Sequence, residues 1–107
     1  MFAKKKKVEF SPWDGTEFLD TEEACAAYLA AELAEGDPHY IKVALETIAR
    51  ARNMSKTAKK ARLPRATLYR AFANGGNPEY STIQKIVDAL DMRLVVVPKN
   101  AKVSIAV

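Results

Sequence analysis

Residues 51–72, ARNMSKTAKKARLPRATLYRAF, carry Arg52, Lys56, Lys59, Lys60, Arg62, Arg65 and Arg70 and no acid. Two short apolar-periodic halves flank a Leu-Pro step with an arginine on either side. Arginine presents a rigid fork of donors that matches phosphate oxygens or the O6 and N7 edge of guanine, whereas lysine is a mobile point charge suited to phosphates. The chemistry these residue types offer is recognition of a polyanion. The surrounding charge strengthens that reading. From Glu9 to Glu46 there are ten acids and one base, Lys42, and from Thr47 to Pro78 there are eight bases and no acid over 32 residues. The net charge of +4 conceals this division. Like charges confined to one segment repel and cost stability. A lone charge run is explained by a solvated helix face, but complete exclusion of acids favours nucleic acid as the partner.

The basic residues need elements to position them, and the periodicity supplies five helices. The first opens at LDTEEACAAYLAAELAEG, with Asp20 or Thr21 as cap, Glu22 and Glu23 against the positive helix end, and Cys25, Tyr28, Leu29 and Leu33 on one face. Gly36 stops it. Asp37 and Pro38 are a cap and first-position pair for the second helix, whose stripe is Ile41, Ala44, Leu45 and Ile48 and which runs to about Arg52. Ser55 is the expected cap of a third, short helix with Ala58 and Ala61 inward. RLP is the turn. A fourth short helix, RATLYRAF, turns Leu68, Ala71 and Phe72 inward, joined by Leu63. NGGNP ends it: no strand precedes the glycines and no Gly-Lys-Ser/Thr follows, so a helix stop fits better than a phosphate cradle. Ser81 is the expected cap of a fifth helix with Ile83, Ile86, Val87 and Leu90 inward. RLVVV then reads as a β-branched strand and KVSIAV as a possible return strand. A lone hairpin is marginal in water and must pack on the helices or pair with a second copy.

Two short helices, a tight turn, small alanines at the crossing and a basic, aromatic outer face describe a helix-turn-helix over about residues 55–73. Its second helix has to enter a major groove about 12 Å wide with donors on its outer face. That places Arg65, Ala66, Tyr69 and Arg70 near the bases. Ser55, Lys56, Lys59, Lys60 and Thr67 are assigned to phosphates, which fix register while base edges carry specificity.

The segment MSKTAKKARLPRATLYRAFANGGNPEYSTIQKIVDALDMRLVV resembles the helix-turn-helix antidote proteins of bacterial toxin–antitoxin operons, of the HigA-like kind. The upstream FLDTEEACAAYLAAELAEGDPHYIKVALETIARARNMS resembles them too, so the likeness spans about residues 17–97. It implies a mainly α fold, a five-helix repressor-like domain that binds operator DNA, and usually a homodimer. The implied partner is a RelE/ParE-like toxin encoded next door. The DNA-contacting positions of that fold fall on Arg65, Ala66 and Arg70. Two positions depart from the pattern. Arg62 stands where many such turns have glycine, and Pro64 replaces the usual Ser or Thr cap of the recognition helix. Arg62 is therefore predicted to have a positive φ at a cost of roughly 1 kcal/mol or more.

The division expected is an N-terminal arm over 1–19, a helical DNA-binding domain over 20–91, and a C-terminal strand or hairpin and tail over 92–107. A RelE-like toxin handles RNA and is basic, so the acidic half is expected to attract it. Phe10, Trp13 and Phe18, with Glu22 and Glu23, are the candidate toxin contacts, aromatics being the usual anchors of interfaces. An arm folded onto the protein's own core would explain the same aromatics. His39 and Cys25 lie on different helices with no metal-ligand spacing, so neither catalysis, a metal nor a cofactor is expected. No apolar run reaches the ~18 residues of a membrane span, the basic start lacks an apolar signal-peptide region, and one cysteine makes no internal disulfide, which together point to the cytoplasm. Two other functions fit the same residues: a stand-alone phage-type repressor, and a module whose basic face binds RNA or an acidic protein.

Overall fold

In the computed structural model, residues 19–100 are described, and they hold five helices and no strand. α1 spans Glu22–Glu35, α2 Pro38–Ala51, α3 Met54–Ala61, α4 Arg65–Phe72 and α5 Tyr80–Ala89. Of the two cap candidates for α1, Thr21 takes the role: its Oγ1 accepts from the Ala24 N–H at 3.0 Å, with Glu22 and Glu23 in the first turn. α1 ends on Gly36 at φ 81°, whose N–H donates to the Glu32 carbonyl. Asp37 caps α2 through a 2.9 Å bond from the His39 N–H, with Pro38 at the helix start.

The helices close around one apolar cluster. Cys25 and Leu29 of α1 join Ala44, Leu45, Ile48 and Ala49 of α2, Ala58 of α3, Leu68 and Phe72 of α4, Ile86 and Val87 of α5, and Leu90 just past α5. Leu45, Ile48, Leu68 and Ile86 are fully buried. α1 packs on α2, α5 packs chiefly on α3, and α3 and α4 pack on each other and on α2. The inward face of α1 differs from the expected stripe: Leu33 is 40% exposed and Glu32 is buried. On a helix turning ~100° per residue, position 32 lies about 20° from Cys25 and position 33 about 80° away. Geometry, not hydrophobicity, selects Glu32.

The α2–α3 junction also corrects a cap. Asn53, not Ser55, caps α3, its Oδ1 accepting from the Lys56 N–H at 3.0 Å. Only Arg52 and Asn53 separate the two helices, so the chain reverses within two residues. Asn53 does so at φ 90°, a region asparagine tolerates better than most residues. Ser55 is left exposed inside the first turn. The carbonyl of Asn53 also accepts from the buried Thr57 Oγ1 at 2.9 Å.

At the other end of α3, Arg62 has φ 59° and ψ 42°, as expected. Its N–H donates to the Lys59 carbonyl at 3.1 Å, and the Leu63 N–H reaches back to Ala58 at 3.0 Å. These paired bonds close the last carbonyls of α3, with the half-buried Leu63 packed on the core. The same pattern recurs past α5, where Asp91 has φ 63° and the Asp91 and Met92 N–H groups return to Asp88 and Val87. Because glycine reaches the left-handed region without the Cβ penalty, Arg62→Gly is expected to leave the fold intact and to stabilise it by up to about 1 kcal/mol. An unchanged or raised thermal midpoint supports this, and a clear drop contradicts it.

Pro64 precedes α4 in an extended conformation, and its carbonyl accepts from Thr67 and Leu68 at 3.0 and 3.2 Å. Proline loses nothing there, since the missing N–H has no helical partner. α5 begins at Tyr80, with Glu79 rather than Ser81 at the cap position. The extended Glu79 contributes its backbone carbonyl, which accepts from Thr82 and Ile83 at 3.0 and 3.1 Å, so Ser81 already lies inside the first turn.

The expected C-terminal strand does not form among the described residues. Met92 and Leu94 pack on the core, but Val95 and Val96 are 67% and 98% exposed. A strand needs a neighbour for its N–H and C=O groups, and the described residues offer none beside RLVVV. The return segment KVSIAV lies outside the described residues, as do Phe10, Trp13 and Phe18.

Candidate nucleic-acid interface

α4 separates its residues cleanly by side. Leu68, Ala71 and Phe72 are buried, while Arg65, Ala66, Tyr69 and Arg70 are exposed. Thr67 is half-buried and accepts from Arg70 Nη2 at 3.3 Å. Arg65 Nη2 donates to Tyr69 Oη at 2.7 Å, and its guanidinium lies 5.3 Å from the ring centroid. The four residues expected near bases thus share one exposed side of one helix.

On α3, Ser55 and Lys56 are exposed in the first turn and Lys59 and Lys60 in the last. The inward residues between them, Met54, Thr57, Ala58 and Ala61, are buried, and three of the four are small enough for α3 to lie close against α4 and α5. Lys60 is not isolated: its Nζ lies 3.3 Å from the Asp91 carboxylate. That pair is exposed, so it is weak and exchangeable. Glu22 and Glu23 are exposed at the start of α1, remote in sequence from the basic helices, with Glu22 4.0 Å from Arg52.

Three residues help set this face through contacts that the sequence reading did not give. Lys42 Nζ donates to the carbonyls of Ala73 and Gly76, both at 2.9 Å. A cation from α2 therefore sits on the carbonyl end of α4, where it favours the helix dipole. Lys42 had a visible mark, being the single base of the acidic half. Gly76 lies against the same end. A Cβ there would stand 2.6 Å from the Arg70 carbonyl oxygen, 2.9 Å from that of Ala73 and 3.0 Å from that of Ala71. The NGGNP segment is thus the helix stop expected, made by a close backbone approach. Gly76→Ala is predicted to push the loop off α4 and to destabilise the fold by about 1–3 kcal/mol. Urea unfolding reads this out, and a variant as stable as the parent contradicts it. The third residue is Arg50, whose guanidinium lies 5.6 Å from the Tyr69 ring centroid.

Cys25 and His39 lie on different helices in unlike surroundings. Cys25 is buried and bonded to the Leu19 carbonyl at 3.7 Å, and burial raises its pKa, partly offset by Arg52. His39 is exposed at the start of α2, T-stacked on Tyr40. No group of His, Cys, Asp and Glu among the described residues gathers to hold a metal. No described helix is long and apolar enough to cross a membrane.

Compared with known families, residues 9–98 match the model of a family described as probable addiction module antidote protein. The chain belongs to this family. An uncharacterized protein of Haemophilus influenzae (strain Rd) is 39% identical over 85 residues, which cover 79% of this chain and 88% of that protein. No solved structure matches. An antidote implies a toxin as its counterpart. It also makes the reading of a non-enzymatic regulatory protein the natural one.

Proposed function

We propose that this antidote belongs to a type II module, in which it binds and neutralises a RelE/ParE-like toxin and, as a homodimer, represses its own operon through α3 and α4 acting as a helix-turn-helix. The observation that carries the DNA half is the division of α4. Arg65, Ala66 and Arg70 are exposed on a slim helix, with Tyr69 beside them, while Leu68, Ala71 and Phe72 anchor the opposite side. The left-handed Arg62 holds the turn that sets α4 against α3. Lys56 and Lys59 are free to meet phosphates, and Lys60 can exchange Asp91 for one. Arg65 and Arg70 have the fork that reads guanine.

The toxin half rests on family membership and charge. The chain from Glu9 to Glu46 carries a net −9, ten acids against one base, and Glu22 and Glu23 present that charge on α1. A basic RNA-handling toxin is its complement. Phe10, Trp13 and Phe18 are the anchors proposed for the arm.

Co-expression with the basic open reading frame adjacent to the gene tests this half. Rescue of growth and co-purification of the two chains are expected. Truncation of residues 1–18, which spares the buried Leu19, is expected to weaken the complex. Duplex binding without toxin capture would instead leave a stand-alone repressor, and capture without duplex binding a protein-interaction module.

A further inference from the structure

Two guanidiniums approach the ring of Tyr69. Arg65, one turn earlier on α4, is 5.3 Å from its centroid, and Arg50, in the last turn of α2, is 5.6 Å from it. Both distances are within cation–π range. The Tyr69 hydroxyl is already taken as an acceptor from Arg65 Nη2 at 2.7 Å. Tyr69 is 37% exposed, so the three side chains meet at the surface of the α4 face. Arg50 is held on its other side by Glu46, whose Oε2 accepts from Nε at 3.0 Å and from Nη2 at 2.8 Å.

We propose that Arg50 is a phosphate-contacting residue of this face, and that Tyr69 is the plate that positions Arg50 and Arg65 there. The inference rests on the duplex-binding reading above. Three features carry it. Two like charges are gathered around one ring, so an anion bound beside that ring is favoured by both. The Nε–Nη2 edge of Arg50 is committed to Glu46, and the side chain is 51% exposed. Its Nη1 hydrogens and the second Nη2 hydrogen stay available to a phosphate oxygen, and its place on α2, beside rather than on α4, suits a backbone contact. Tyr69 has its hydroxyl turned to Arg65 and its ring to both cations, so its own contacts are within the protein. Glu46 pairs with Arg50 in the free protein and competes with the phosphate for it.

Anisotropy titrations of the full chain against its promoter duplex, over a range of salt, decide this, with circular dichroism confirming that each variant is folded. Wild-type protein sets the slope of log K against log salt. Arg50→Gln is expected to make that slope shallower by about one while leaving base preference unchanged. Glu46→Gln is expected to tighten binding severalfold. Tyr69→Phe keeps the ring and is expected to keep the slope. Tyr69→Leu is expected to lower the slope as Arg50→Gln does and to relax the base preference owed to Arg65. A folded Arg50→Gln variant with the parent slope, or a Glu46→Gln variant that binds more weakly, overturns the role of Arg50. A new base preference in Tyr69→Phe at a pair that Arg65 does not read overturns the plate. A wild-type chain that shows no salt-dependent duplex binding removes the DNA reading itself, and the inference with it.

Discussion

Arg70→Ala is expected to weaken operator binding by about 1–3 kcal/mol, roughly 5- to 150-fold, and to relax the sequence preference at one base pair. The size follows from chemistry. On the proposed register a bidentate arginine–guanine contact would be lost, and the guanine edge would be left facing a methyl group inside a partly dehydrated groove. The loss should be confined to binding. Arg70 is exposed, and among the described residues its side chain makes one hydrogen bond, a 3.3 Å contact to Thr67, so its removal should change stability by no more than ~0.5 kcal/mol. Lys56→Ala and Lys59→Ala provide the contrast. As phosphate contacts they should weaken all duplexes alike and each make the salt slope shallower by about one. Competition titrations against duplexes changed one base pair at a time separate these cases. An Arg70→Ala variant that binds every sequence as the parent does would show that the outward register of α4 has been misassigned.

Leu68→Ala should do the reverse. Leu68 is fully buried in the common cluster, two residues before Arg70 on the same helix. Truncation removes three heavy atoms and leaves a cavity between α4 and its neighbours, for a cost of about 2–5 kcal/mol. Against a total stability of about 5–15 kcal/mol, that is a large fraction. The urea midpoint should fall with its slope little changed, and duplex affinity should follow only as the folded fraction falls. A midpoint within ~0.5 kcal/mol of the parent would contradict the placement of Leu68 in the core. The two variants lie on opposite faces of one eight-residue helix, so opposite responses test whether that helix divides packing from recognition.

Much of the framework was readable before any coordinates. The apolar stripes of α2 and α4, the Asp37–Pro38 start and the positive φ at Arg62 all depend on local preference, and local preference is written in the chain. The misses have a common cause. Ser55 is as good a cap as Asn53 by residue type, but the two-residue reversal after α2 needed a residue that tolerates φ 90°. Glu32 is buried in place of Leu33 because α1 meets α2 along an i, i+4, i+7 line. RLVVV has strand composition, yet composition supplies no partner. The contacts that shape the α4 face, Lys42 with Ala73 and Gly76 and Arg50 with Tyr69, join residues 19 to 34 apart in sequence. Periodicity and propensity report neighbours three or four residues apart and do not register such pairs.

The exposed segment at Val95–Val97 bears on the proposed dimer. With no strand beside it among the described residues, its backbone is suited to pairing with a second copy. In a dimer the two α4 helices would have to enter successive major grooves about 34 Å apart, which makes the spacing of operator half-sites a geometric consequence. The central claim, that α3 and α4 read the antidote's own operator, is tested most directly by a hydroxyl-radical footprint of the purified chain on the promoter of its own operon, repeated at rising salt. The account predicts two protected half-sites about one helical turn apart, with protection fading steeply as salt increases. Uniform cleavage across the promoter at every salt concentration would contradict it.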